Sequence, residues 1–323
     1  MQNAIGFAAA LKGLLQRRSR GSPDFGELLD EWLQVKKDGL KQSTYATYLQ
    51  RAESHLRPAL GELKPEELSP ERLREFCRSL EGLAPATQRG ILFVLNQVLQ
   101  YGRSRGLGLP PEAAAPRLRP AKYRTRVLTE REQALLEHQL RHDTSEKSMG
   151  LLICMYTGMR LGEICALRWG DIAPDNRSIH VCRTVQRIKN EEGEQSRTKI
   201  IFDAPKSASS DRVVPVPPFL EQLLAGMRCG DDCFVLTSRA ERFVDPRVYQ
   251  DYFKYMQKCS GLTPLNFHAL RHSFATRCIS LGLDAKSLSQ VLGHSSVSTT
   301  LNIYVHPSLD RVRRCMEQMQ SAV

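Results

Sequence analysis

A mainly α-helical protein in two domains, with a small antiparallel β-sheet in the second, is the fold class that the sequence predicts. Three observations carry that expectation. The chain has 323 residues, 41% hydrophobic and 25% charged, enough to bury two cores more readily than one. Apolar residues recur at helical spacing over most of its length, and only between about residues 179 and 216 do they alternate. A proline-rich basic run separates the two helical regions.

Residues 1–22 begin with a short apolar patch and end in Arg17, Arg18 and Arg20 before Ser22 and Pro23 break the pattern, which predicts a flexible basic arm. Residues 23–107 are expected to form a small helical domain. Ser43 can cap one helix, Ser69 with Pro70 opens another, and Pro85 to Thr87 open a third. In that third helix Ile91, Val94, Leu95, Val98 and Leu99 share one face, and Gly106 is its expected stop. Residues 108–126 place Pro110, Pro111, Pro116 and Pro120 among Lys and Arg with no apolar period, which predicts a linker. Its charge lets it follow a phosphate backbone, with Lys122, Arg124 and Arg126 as the candidate contacts.

The second domain is expected over 127–323. Thr129 and Glu132 have capping-box spacing, and helices continue through Leu151 to Tyr156. Ile179, Val181 and Val185 then alternate with polar residues, followed by Ile200 to Phe202 and Arg212 to Val216, for which a three-stranded antiparallel sheet is the simple expectation. Helices follow from Asp245 and Pro246, from Phe267 to Leu281, and from Asp284 to Leu292, the last ended by Gly293. A final helix should carry Tyr304 about one turn from its start. Beyond it, Cys315, Met316 and Met319 beside Arg311, Arg313 and Arg314 could pack helically on a neighbouring molecule.

Forty-six Lys plus Arg against 35 Asp plus Glu give a net charge of +11, which favours a polyanionic partner, nucleic acid among others. No apolar run approaches the roughly 20 residues that cross a bilayer, and no secretion signal is recognisable at the amino end, so a cytoplasmic location is expected. Nine cysteines are scattered. Cys229 and Cys233 are close in sequence but lack a second pair or a nearby histidine to complete a zinc site, so reduced thiols and no metal are expected. There is no phosphate-binding GxxxxGK[ST] loop and no carboxylate cluster of two-metal type.

Three short segments concentrate the chemistry. In TGMRLGEICALRW, Arg160 and Glu163 lie three apart, so the carboxylate can orient the guanidinium. In NFHALRHSFAT, His268 and Arg271 repeat that spacing, while His272 is set aside because its place next to Arg271 turns it away. In LGHSSVSTTLNIYVH, Gly293 puts His294 on a turn, and Tyr304 follows ten residues after His294. Taken singly, the Arg160 and Glu163 spacing is usually a surface ion pair, and an isolated tyrosine near a carboxyl terminus is most often a packing residue.

Together these residues resemble the tyrosine recombinase family, which includes phage and conjugative-element integrases and chromosome-dimer resolvases, and the resemblance covers nearly the whole chain. It implies an active site of Arg160, Lys206, His268, Arg271, His294 and the nucleophile Tyr304, with Glu163 in support. Lys206 precedes a turn, an arginine and an apolar strand, as the family lysine does; Lys199 is the alternative. The resemblance also implies a DNA clamp of a helical core-binding, SAM-like domain and a catalytic domain. Four protomers would act on two duplexes at specific sites, exchanging strands through a Holliday junction, with accessory DNA-bending or directionality proteins as possible partners. Many such integrases carry a further amino-terminal domain for arm-type sites, for which 22 residues are too few.

Physical chemistry suits this set to phosphoryl transfer, which asks mainly for positioning and neutralisation of equatorial charge. Arg160 and Arg271 match phosphate oxygens bidentately, and His294 adds a donor. Tyr304 must lose a proton near pKa 10, with His268 the nearest candidate in the set to assist. Lys206 would protonate the departing 5′ oxygen. A phosphotyrosine conserves the bond energy, so neither ATP nor a cofactor is expected. The rival functions are a type IB topoisomerase, which uses similar chemistry to relax supercoils, and a catalytically silent DNA-binding regulator.

Overall fold

The computed structural model describes residues 22–116, 118, 126–190, 196–203, 208–304, 313, 316 and 317. The chain divides into two compact units, Met1–Tyr123 with Ile188–Thr198, and Arg124–Arg187 with Lys199–Val323.

The described helices of the first unit run from Phe25 to Ser104, and the ends of two strands, at Ile188, Lys189 and Thr198, are counted with it. Helix α1 (Phe25–Lys37) starts at Asp24, whose side chain and that of Glu27 form a reciprocal capping box. Helix α2 (Gln42–Arg51) begins two residues earlier than Ser43 would cap it; Lys41 holds the cap position and Ser43 is buried inside the first turn. A π-helical turn (Ala52–Leu56) leads into α3 (Arg57–Leu60). Helix α4 (Pro70–Ser79) is capped by Ser69, and α5 (Pro85–Ser104) opens on its proline. The apolar face foreseen on α5 is the centre of the core: Ile91, Val94, Leu95, Val98 and Leu99 are fully buried against Phe25, Leu28, Trp32 and Leu56. Each such side chain contributes about 1.5–3 kcal/mol. The proline-rich run does not leave this unit at once. Leu109, Ala113 and Ala115 join the same core, and Asn96 holds Ala115 by a two-way backbone pair of 3.1 and 2.9 Å.

The second unit opens with α6 (Glu130–His142), where Thr129 and Glu132 form the expected box. Helix α7 (Glu146–Thr157) is apolar almost all round and buried. After the short α8 (Leu161–Ala166) come β1 (Ser178–Val181), β2 (Thr184–Lys189), β3 (Thr198–Asp203) and β4 (Arg212–Pro215). The expected three-stranded sheet is replaced by two pairs among the described residues: β1 with β4, antiparallel with Ile179 opposite Val214, and β2 with β3. The break falls at Cys182 and Arg183, both anchored to Asp171, so Val185 belongs to a different sheet from Ile179 and Val181.

Three of the next five helices have foreseen starts: α10 (Pro246–Cys259) is capped by Asp245, α11 (His268–Ser280) follows Phe267, and α12 (Ala285–Leu292) is capped by Asp284; α13 (Val297–Tyr304) is also expected but begins a turn earlier. The unforeseen one, α9 (Pro218–Ala225), buries Leu220 and Leu224. Tyr304 therefore stands two turns from the start of its helix rather than one. Among the described residues no helix is long and apolar enough to cross a membrane, and no group of His, Cys, Asp or Glu is placed to hold a metal.

Candidate active site

Two helices of the second unit end on left-handed glycines, α7 at Gly158 (φ 66°) and α12 at Gly293 (φ 64°). Such an ending turns the last carbonyls outward, where a helix carries partial negative charge. Arginines collect there. Arg271, on the first turn of α11 and 1% exposed, donates from Nη1 to the Gly158 carbonyl at 2.9 Å and from Nη2 to Leu292 at 2.6 Å. Arg160 caps α8 and donates from Nη2 to the Gly293 carbonyl at 3.0 Å.

Glu163 ties the arginines together. Its carboxylate accepts from the Arg160 backbone N–H and Nη1, each at 2.7 Å, and from Nη1 and Nη2 of Arg212 at 3.0 and 2.9 Å. Arg212 also donates from Nε to the Val291 carbonyl at 2.6 Å. Burial alone would raise the Glu163 pKa, but the hydrogen bonds and charge of Arg212, and then of Arg160, hold it down at about 2. Burial first, and then Arg160, push Arg271 down to about 9, which leaves it protonated at neutral pH. Three guanidiniums therefore face one carboxylate.

The histidines add no charge at neutral pH. His268, at the start of α11, is held at about 4 by burial first and then by His272, Arg271 and Arg160. His294 is also held at about 4, by burial and then by Arg271 and Arg160, and its Nδ1 is fixed by Thr300 Oγ1 at 2.8 Å. Tyr304 is 9% exposed; burial raises its pKa while Arg271 and Arg160 oppose that rise. Arg160, Glu163, Arg271, His268, His294 and Tyr304 thus lie within one electrostatic neighbourhood.

Sequence reasoning passed over two residues. Arg212 enters the sequence analysis only as the arginine that opens a strand after Lys206, and nothing local marks it as the partner of Glu163, 49 positions away. His272 was set aside as pointing away from the site, yet its Nδ1 shares a 2.7 Å hydrogen bond with Tyr304 Oη. The usable signal was its spacing of four from His268, one turn along the same face; the two rings meet edge to face with centroids 4.8 Å apart. Lys206 lies outside the described residues, as do Lys122 and Arg124, while Lys199 sits on β3. Arg126 is engaged within the unit, ion-paired with Glu132 and donating to the Thr263 carbonyl at 3.2 Å.

The fold is that of solved DNA integrases. The Tn1549 transposon integrase in complex with a circular intermediate DNA matches with a TM-score of 0.73 and 19% identity, over 92% of this chain and 99% of that one. A lambda integrase tetramer bound to a Holliday junction matches at 0.67 and 18%, over 91% and 82%. In sequence, the chain is 26% identical over 315 residues to a XerC-like tyrosine recombinase of Caldanaerobacter subterraneus subsp. tengcongensis, covering 87% of this chain and 78% of the relative. It is also 26% identical over 306 residues to the putative prophage phiRv2 integrase of Mycobacterium tuberculosis, covering 91% and 76%. Residues 125–311 match the Phage integrase family, and residues 24–80 match the Phage integrase N-terminal SAM-like domain. The chain belongs to the phage integrase family of tyrosine recombinases, DNA strand-transferases of site-specific recombination.

Proposed function

We propose that this protein cleaves and rejoins double-stranded DNA at specific sites through a 3′-phosphotyrosine on Tyr304, without metal or ATP. Pairs of strands would be exchanged through a Holliday junction by a homotetramer. The observation that carries this proposal is the charge balance of the site: among the described residues, three buried or half-buried arginines stand against the one carboxylate of Glu163, with Tyr304 in the field of two of them. Such an excess of fixed cation is a seat for an anion. Each guanidinium has five N–H donors; the named bonds leave others on Arg160 and Arg271 for non-bridging phosphate oxygens. His268 and His294, neutral at working pH, add donors without adding charge. Lys206, or Lys199 in its place, protonates the 5′ oxygen as it leaves. Binding of DNA and assembly on it follow the precedent of the integrases that share this fold, solved on a circular intermediate DNA and on a Holliday junction.

Removing only the hydroxyl tests the nucleophile. Wild type should form a denaturation-resistant adduct with a nicked duplex in the presence of EDTA. Tyr304→Phe should form none while binding the same DNA with nearly unchanged affinity. An adduct in the variant sinks the assignment, and loss of the wild-type adduct on chelation sinks the metal-free chemistry.

A further inference from the structure

Proton transfer from the nucleophile is where the structure departs from the sequence expectation. We infer that His272, rather than His268, is the group that takes the phenolic proton as Tyr304 Oη attacks phosphorus, an inference that rests on Tyr304 being the nucleophile proposed above. Geometry comes first. Oη lies 2.7 Å from His272 Nδ1, within the reach required of a general base. His268 meets this pair through ring contact with His272, and at the start of α11 it is more open to solvent than either. His272 and Tyr304 are 8% and 9% exposed, so the bond between them is shielded from competing water.

Electrostatics agree with a reversible acceptor. Burial, and then Arg271, lower the His272 pKa, so the ring is neutral at working pH. With the phenol donating, Nδ1 offers its lone pair and the ring proton sits on Nε2. Arg271 and Arg160 favour the phenolate that develops on Tyr304, and Arg271 disfavours an imidazolium on His272. The proton is therefore accepted as charge passes to phosphorus and readily given back. The other groups around the pair are His268 on α11, Arg160 at the start of α8 and His294 after α12, which feels both histidines of α11.

In cleavage the Oη–H bond breaks and Nδ1–H forms. The oxygen lone pair makes the new bond to phosphorus, and the P–O5′ bond breaks with its electron pair leaving on the 5′ oxygen, which the general acid protonates. Rejoining runs each change backwards: the 5′ hydroxyl attacks, the phenolic oxygen leaves, and His272 returns its proton. No oxidant or reductant is needed.

The test is single-turnover cleavage of a nicked duplex by the full-length protein from about pH 5.5 to 9.5, for wild type, His272→Asn, His272→Ala and His268→Asn. Asparagine keeps a hydrogen-bonding group near the Nδ1 position but cannot hold the proton. His272→Asn should cleave about 100-fold or more slowly at neutral pH, with a rate that climbs steadily with pH as hydroxide replaces the base. Added imidazole should restore part of the activity of His272→Ala, an outcome that decides the matter even if the Asn variant folds poorly. His268→Asn should be slower than wild type while keeping the wild-type pH profile. Wild-type rates in His272→Asn would reduce His272 to a structural contact, and faster cleavage would make it a latch that stores the tyrosine. Either result overturns the inference, as does a pH slope appearing in His268→Asn instead. Failure of wild type to trap DNA, or trapping by Tyr304→Phe, would instead defeat the nucleophile assignment and is separately visible.

Discussion

Glu163 shows how a single buried carboxylate organises the site. It is 5% exposed and bonded to two guanidiniums and a backbone N–H, so its removal leaves Arg212 a buried cation without its counter-ion. Breaking such a pair typically costs about 3–5 kcal/mol, and Glu163→Gln should lose an amount of that order in urea unfolding at pH 7. The pH dependence has a definite sign. The folded carboxyl titrates at about 2, below its ordinary value of 4.5, so the charged pair stabilises fully above pH 4.5 and loses that contribution as pH falls through about 2. The gap between wild type and Glu163→Gln should therefore narrow between pH 4.5 and 2. A gap that stays constant with acid would mean that the charge on Glu163 is not what holds the arginines. Arg160 and Glu163 were legible together because they are three residues apart. Arg212 was not, because its pairing is made only when β4 folds back beside α8.

Among elements, the ends of α7 and α12 do more than terminate helices. Their left-handed glycines present the Gly158, Leu292 and Gly293 carbonyls to Arg271 and Arg160. A Cβ at Gly293 would lie 2.9 Å from the Ser209 carbonyl oxygen and 3.0 Å from Arg212 Cδ. Gly293→Ala combines that crowding with about 1–2 kcal/mol of left-handed strain. It should lower the melting temperature and slow DNA cleavage by more than the stability loss explains, because the Arg160 acceptor moves with the backbone. Cleavage at the wild-type rate would show that the carbonyl does not position Arg160. Local chemistry made these elements readable: Ser69, Thr129 with Glu132, Asp245, Asp284 and Gly293 each act within a turn of where they stand. Strand partners were not readable, because the pairing of β1 with β4 is settled by contacts across more than thirty residues. Helix α13 was read one turn short for a related reason: its start lies in a polar run without a distinctive cap.

For the whole molecule, the net charge of +11 has to be placed before it predicts anything. Many of the acidic residues are already spent on neighbouring arginines, as in the pairs of Arg57 with Asp30 and Glu53, Arg141 with Glu137, and Arg183 with Asp171. The basic run that ends at Arg126 carries five Lys or Arg within ten residues and no acidic residue. Family membership makes DNA the polyanion, and each phosphate neutralised releases counterions, so log affinity should fall with log salt by about 0.9 per contact. Replacing Lys122 and Arg124 together with Ala should then reduce the slope by about 2 and leave the melting temperature unchanged. Arg126→Ala should behave in the opposite way. Its guanidinium is held by Glu132 and the Thr263 carbonyl, so its loss should destabilise the second unit while changing the slope little. Binding measured across a salt series, with melting of the same preparations, separates the two cases. An unchanged slope in the double variant would remove the run from the DNA contact, and a full unit of slope lost in Arg126→Ala would show that this side chain leaves its protein partners for phosphate when DNA is bound.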